Sequence, residues 1–115
     1  MPFFIGVPEI SNDKLKLVWD ASYDFDAEDI SYSVKLARDY ALKDVIFQKD
    51  DVVLPEITCD KPDDGQYFLY VQAKNKSGAT QDAFDYYVTD EGKHYGMKCF
   101  YVQGDMVIED TYEES

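Results

Sequence analysis

Five carboxylates, Asp20, Asp24, Asp26, Glu28 and Asp29, fall within ten residues with no Lys or Arg among them. Hard oxygen donors on a loop are what Ca²⁺ requires. Counted from Asp24, an EF-hand register fails, because Asp29 stands where Gly must turn the loop and Lys35 where a bidentate Glu must close the shell. A looser loop site built on Asp24, Asp26 and Asp29 is the candidate metal site, with Ca²⁺ as its ion. A solvated loop of mutually repelling carboxylates is the competing reading, under which the chain carries no cofactor.

Nucleophilic catalysis needs a base beside its nucleophile, and His94 is the one histidine in the chain. His94 and Cys99 are five positions apart, so on a single strand their side chains would point to opposite faces. Cys59 and Cys99 match no metal-ligand or redox spacing; they are expected either as one bridge or as two reduced, partly buried thiols. Acid–base hydrolysis needs two carboxyls facing across a cleft with one pKa raised by burial, whereas Asp and Glu here are scattered through turns. The expectation is therefore no catalytic residue and no enzyme.

The other chemistry on offer is aromatic. Tyr23, Phe25, Phe68, Tyr70, Tyr87 and Tyr101 are expected on outward faces, most of them covered by the extra C-terminal segment; a flat row of rings left open could stack on sugar or receive a partner. Asn75-Lys76-Ser77 fits a glycosylation sequon, but a turn role for Asn75 explains it sufficiently.

These residues sit on strands. With 16% aromatic content in 115 residues, ten of them Tyr and seven Phe, the chain favours a pleated surface. Leu15, Leu17 and Trp19 alternate with Lys14, Lys16 and Val18, and Ile30, Tyr32, Val34 and Leu36 alternate with Ser31, Ser33 and Lys35. Val45 to Phe47 suits a short edge strand, and Val52 to Cys59, interrupted by Pro55, suits another. After the turn Pro62 to Gly65, the run Tyr67, Leu69, Val71, Ala73 is the clearest strand. Asn75 to Gly78 is expected to turn it into a partner strand from Thr80 to Val88, with Phe84, Tyr86 and Val88 in phase. The pattern resumes at Met97 to Val102, and Gln103-Gly104 turns it into Met106 to Ile108.

Strands at intervals of about ten residues with no helical period indicate an all-β sandwich or barrel. One domain is expected, with a sandwich over 1–90, an appended strand or hairpin over 91–109 packed on it, and an acidic tail over 110–115. The formal charge of −13 repels phosphate backbones and anionic headgroups, so nucleic-acid partners are excluded. No apolar run approaches the roughly 20 residues that span a bilayer, so membrane insertion is excluded as well. Met1 to Ile5 has neither the basic flank nor the length of a signal peptide.

Taken together, Leu17-Val18-Trp19-Asp20, Ser22-Tyr23-Asp24-Phe25-Asp26 leading into Ile30 to Val34, and Gly65-Gln66-Tyr67 through Asn75 to Gly78 resemble a fibronectin type III domain of bacterial surface and secreted proteins. The stretches around 22–34 and 82–102 are similar to the module appended to secreted spore-coat kinase-like proteins. The resemblance implies a seven-stranded, immunoglobulin-like β-sandwich with Trp19 and Tyr32 in its core, and Tyr67 as a tyrosine corner tied to nearby backbone. It also implies an extracellular or cell-surface setting within a larger protein. There the chain would be a non-catalytic accessory module that spaces or positions a neighbouring domain, or another protein, by contact. The alternative is a carbohydrate-binding module using the exposed aromatics. The turn Asn75 to Gly78 lacks Arg-Gly-Asp, so integrin binding is not implied.

Overall fold

A computed structural model describes residues 4–19, 30–74, 78, 80–83 and 85–109. Its strands are β1 (Glu9–Ser11), β2 (Lys14–Val18), β3 (Ser31–Ala37), β4 (Val45–Val52), β5 (Glu56–Asp60), β6 (Gly65–Lys74), β7 (Thr80–Asp82), β8 (Tyr86–Thr89), β9 (Gly92–Tyr95), β10 (Met97–Gln103) and β11 (Met106–Glu109). The fold is all-β and every strand pair is antiparallel. One sheet has the order β1-β2-β5 and a larger one the order β11-β10-β6-β3-β4, with β7 also beside β6.

Period-two alternation decides which faces meet. Leu15 and Leu17 of β2, Tyr32, Val34 and Leu36 of β3, Tyr67, Leu69, Val71 and Ala73 of β6, and Phe100 and Val102 of β10 all enter one core between the sheets. Trp19 closes one end of it, its ring edge-on to Tyr32 with centroids 5.3 Å apart. Trp19 Nε1 is buried without a partner among the described residues. Pro55 lies between β4 and β5 rather than inside a strand, and its carbonyl accepts the Trp19 N–H at 3.1 Å. A proline, having no N–H to give a ladder, fits that connection.

The expected return strand from Thr80 to Val88 is interrupted. Only Thr80 to Asp82 pairs with β6, opposite Lys74 to Gln72; Phe84 lies outside the described residues. The chain then leaves the sheet, folds Tyr86–Thr89 against Gly92–Tyr95 as a separate hairpin, and comes back at Gly96. From there β10 takes up the same edge of β6, opposite Tyr70 to Gly65. At the break Val71 bonds both limbs, donating its N–H to Gly96 O at 3.0 Å and accepting the Ala83 N–H at 3.1 Å. Within the span 91–109, then, β9 belongs to the outer hairpin while β10 supplies Phe100 and Val102 to the central core.

Asp85 fastens the base of this excursion. Its carbonyl accepts the Gly96 N–H at 2.8 Å, and its Oδ1 accepts the Ile5 N–H at 2.7 Å. Its Oδ2 lies 3.7 Å from Lys98 Nζ, with both side chains largely buried. Gly96 adopts φ +83°, a left-handed conformation open to glycine at low cost.

Candidate binding surface

The outward positions of β6 and β10 form the second face of the larger sheet. Phe68, Met97 and Cys99 are buried there beneath Tyr87 and Leu42. Tyr87 stands edge-on to Phe68 at 4.9 Å, and Tyr40 stacks beyond it at 6.0 Å. His94 lies 5.1 Å from the Tyr40 ring and its Nε2 is 2.8 Å from Thr89 Oγ1. Asp39 sets the β3–β4 loop that carries Tyr40 and Leu42: its carboxylate accepts the N–H groups of Asp44 at 2.8 Å and Lys43 at 3.0 Å. Those bonds, the one from Asp44 foremost, hold the Asp39 carboxyl below its ordinary value. The other side of the hairpin carries Tyr86 and Tyr95, rings 5.6 Å apart, with Lys93 Nζ 4.7 Å from the Tyr86 centroid.

Beyond the hairpin, the same face stays open as a groove of about 470 Å³ lined by Asp64, Gln66, Tyr101, Gln103 and Ile108. Tyr101 is 37% exposed, Ile108 43% and Met106 64%. Gln66 Nε2 reaches Tyr101 Oη and Cys99 Sγ, each at 3.2 Å. The β10–β11 turn is fixed from the β5–β6 side. Asp64 Oδ1 accepts the Gly104 N–H at 2.9 Å, and Lys61 Nζ donates to Gly104 O at 3.1 Å. Gly104 has φ +62°, which suits the first central position of a two-residue hairpin turn.

Asp24, Asp26 and Asp29, with Asp20 and Glu28, lie outside the described residues, as do Tyr23, Phe25 and Asn75 to Ser77. Among the described residues no three His, Cys, Asp or Glu side chains gather at a point that could hold a metal ion. The aromatic positions are dispersed. Phe68 is covered, Tyr87 faces inward over it, and Tyr70 donates its hydroxyl to Asp82 Oδ1 at 2.6 Å. Burial first, then the Asp82 carboxylate, holds the Tyr70 phenol well above its ordinary value. Tyr101 is the one of these four that borders the open groove.

The two cysteines form no disulfide with each other and lie on different sheets, Cys59 opposite Leu15 and Cys99 opposite Phe68. Burial pushes the Cys59 thiol up to about 11, with the Asp60 carboxylate adding to the shift and Lys14 opposing it. A thiol so raised is a poor nucleophile. His94 and Cys99 are not on one strand; Gly96 separates β9 from β10 between them.

Tyr40 and Tyr95, which were not among the expected outward rings, join this surface, and so does Tyr86, expected instead in phase with Phe84 and Val88 on a partner strand of β6. The doublet Tyr86-Tyr87 was the available signal, since neighbours in a strand must face opposite ways and one of the two rings had to point outward. No protein-family model matches this chain, and no match was found among curated proteins or solved structures.

Proposed function

We propose that this chain is a fibronectin type III-like accessory module of a larger secreted or surface protein, acting by contact with a neighbouring domain or another protein and not by catalysis. Seven strands in sheets of three (β1, β2, β5) and four (β10, β6, β3, β4) support the fold part of this reading. So does the Tyr67 hydroxyl, which donates to the carbonyl of Asp63 four residues upstream, the bond a tyrosine corner makes. Strand β7, the hairpin β8–β9 and strand β11 are additions to that frame.

The observation that carries the function is the exposed apolar margin of Tyr101, Met106 and Ile108 along β10 and β11. Apolar side chains gathered at a sheet edge are a liability that a partner relieves. The reactive groups present also favour a non-catalytic role: His94 is held by Thr89 and Tyr40, and Cys59 is kept protonated.

The alternative reading, carbohydrate binding, draws on the same groove, where the Tyr101 ring stands among the amides of Gln66 and Gln103 and the carboxylate of Asp64. One pair of experiments separates the two. A photoreactive side chain placed at Met106, in cells that make the parent protein, is expected to cross-link to one discrete protein species, whereas the same group at Lys49 on the opposite edge gives none. Titration with cell-wall and plant polysaccharides is expected to leave tyrosine fluorescence unchanged. Saturable polysaccharide binding that disappears with Tyr101→Ala overturns the protein-contact reading.

A further inference from the structure

The two edges of the larger sheet are unlike. At the β4 edge the ladder with β3 is broken by register shifts between Tyr32 and Val34 and between Leu36 and Ala37. Asp51 there takes φ +59°, and the run Lys49-Asp50-Asp51 is exposed. Bulges and charges are the devices that keep an edge from pairing. The β11 edge carries Met106, Val107 and Ile108, and its ladder with β10 is regular from Phe100↔Glu109 to Gln103↔Met106. Among the described residues no strand is hydrogen-bonded to its outer side, although β1 of the other sheet approaches β11 without pairing with it.

Register shows which groups are offered. A two-residue turn at Gly104-Asp105 makes Gln103 and Met106 a mutually bonded pair, and bonding then alternates along an antiparallel ladder. Ile108 therefore turns its main chain toward Tyr101, while the N–H and C=O of Val107 turn outward. The Val107 side chain packs on the core, and those of Ile108 and Tyr101 border the groove. A strand laid beside β11 would bond Val107 and alternate its own side chains between the core margin and the groove.

Charge selects among occupants. Asp64 lines the groove, Asp63 is exposed next to it and Asp105 sits in the exposed turn, with Lys61 donating to the turn. The chain as a whole carries −13. A second copy would bring the same sign to the same edge, whereas a cationic segment meets complementary charge.

We propose that β11 is a strand-addition site for an extended polypeptide segment of alternating apolar and polar residues with Lys or Arg at its ends. This deepens the accessory-module reading and rests on it. Main-chain bonds to Val107 supply affinity, and the groove beside Tyr101 and Ile108 reads every second side chain of the partner.

The test uses the full chain and a short synthetic peptide of alternating Val and Thr flanked by lysines, with amide hydrogen exchange followed residue by residue. The expected result is at least roughly tenfold slower exchange at Val107, with β4 amides unchanged. N-methylation of the peptide on its bonding edge is expected to abolish the protection. Glutamate in place of the flanking lysines is expected to weaken binding roughly tenfold or more. Ile108→Lys, which puts a guard charge on the edge, is expected to abolish it while the melt stays cooperative. No protection at Val107, equal binding of the N-methylated peptide, or equal binding of the glutamate-flanked peptide overturns strand addition by a cationic segment. So does protection that grows with protein concentration in the absence of peptide, since a second copy then fills the edge. If the peptides fail while the Met106 cross-link still yields one protein, the accessory reading stands without strand addition; if both fail, both fall.

Discussion

Replacing Gly96 by alanine tests the idea that one glycine lets the chain leave the sheet and return to it. A Cβ at this position would lie 2.7 Å from Cε1 and 3.0 Å from Cδ1 of Tyr70, and 3.1 Å from Cβ of Asp82. The ring has little room to retreat. Its hydroxyl is bonded to Asp82 at 2.6 Å and accepts the Gln72 side-chain amide at 3.1 Å. The φ of +83° adds a backbone cost for any residue with a Cβ, about 1 kcal/mol. Overlap with a well-packed ring adds about 1 to 3 kcal/mol, so Gly96→Ala is expected to destabilise by about 2 to 4 kcal/mol. For a domain of this size that lowers the melting temperature by about 8 to 16 °C. Thermal denaturation followed by circular dichroism measures it. In a Tyr70→Ala background the ring overlap is gone, and the same substitution is expected to cost only about 1 to 2 kcal/mol. A Gly96→Ala melt within about 2 °C of the parent, or an equal cost in both backgrounds, refutes the reasoning.

Tyr67→Phe removes the hydroxyl bonded to Asp63 O and is expected to cost about 1 to 2 kcal/mol in urea denaturation; an unchanged midpoint would argue against a tyrosine corner. The Cys59 thiol is raised from 9.0 to about 11 in the folded chain, so its contribution to stability is fully present below pH 9.0 and is lost as pH rises to about 11. Urea midpoints across that window are expected to fall more steeply in the parent than in Cys59→Ala, and identical slopes would count against it. Saturating Ca²⁺ is expected to change the melting temperature little, because the sequence spacing of Asp24, Asp26 and Asp29 offers no bidentate residue to complete a shell. A rise of many degrees that Mg²⁺ does not reproduce and that Asp26→Asn weakens would make Asp24, Asp26 and Asp29 a metal site.

Strand identity was legible because a half-buried strand repeats every two residues and writes its faces into the sequence. Leu15 and Leu17, Val34 and Leu36, and Leu69 and Val71 share one face of their strands by alternation alone, and that face lies in the core. The Gln103-Gly104 turn was legible for the same local reason, a glycine where the chain reverses. The broken partner of β6 was not. Thr80 to Val88 alternates as well as any strand, and nothing local distinguishes pairing with β6 from pairing with Gly92–Tyr95. Alternation says that a segment has two faces, but not what lies against them.

The candidate surface divides in the same way. The sequence alone determined that rings such as Phe68, Tyr87 and Tyr101 had to sit on one face or the other of their strands. Only the tertiary structure decided that the first two cover each other while Tyr101 borders an open groove. That choice was made by Asp85, Gly96 and Val71, whose bonds join residues distant in sequence and hold the β8–β9 hairpin over half of the sheet. Periodicity is a property of neighbours along the chain. Coverage depends on contacts between distant segments, each of which must offset the entropy of closing its own loop, and that balance is settled only when the whole chain has folded.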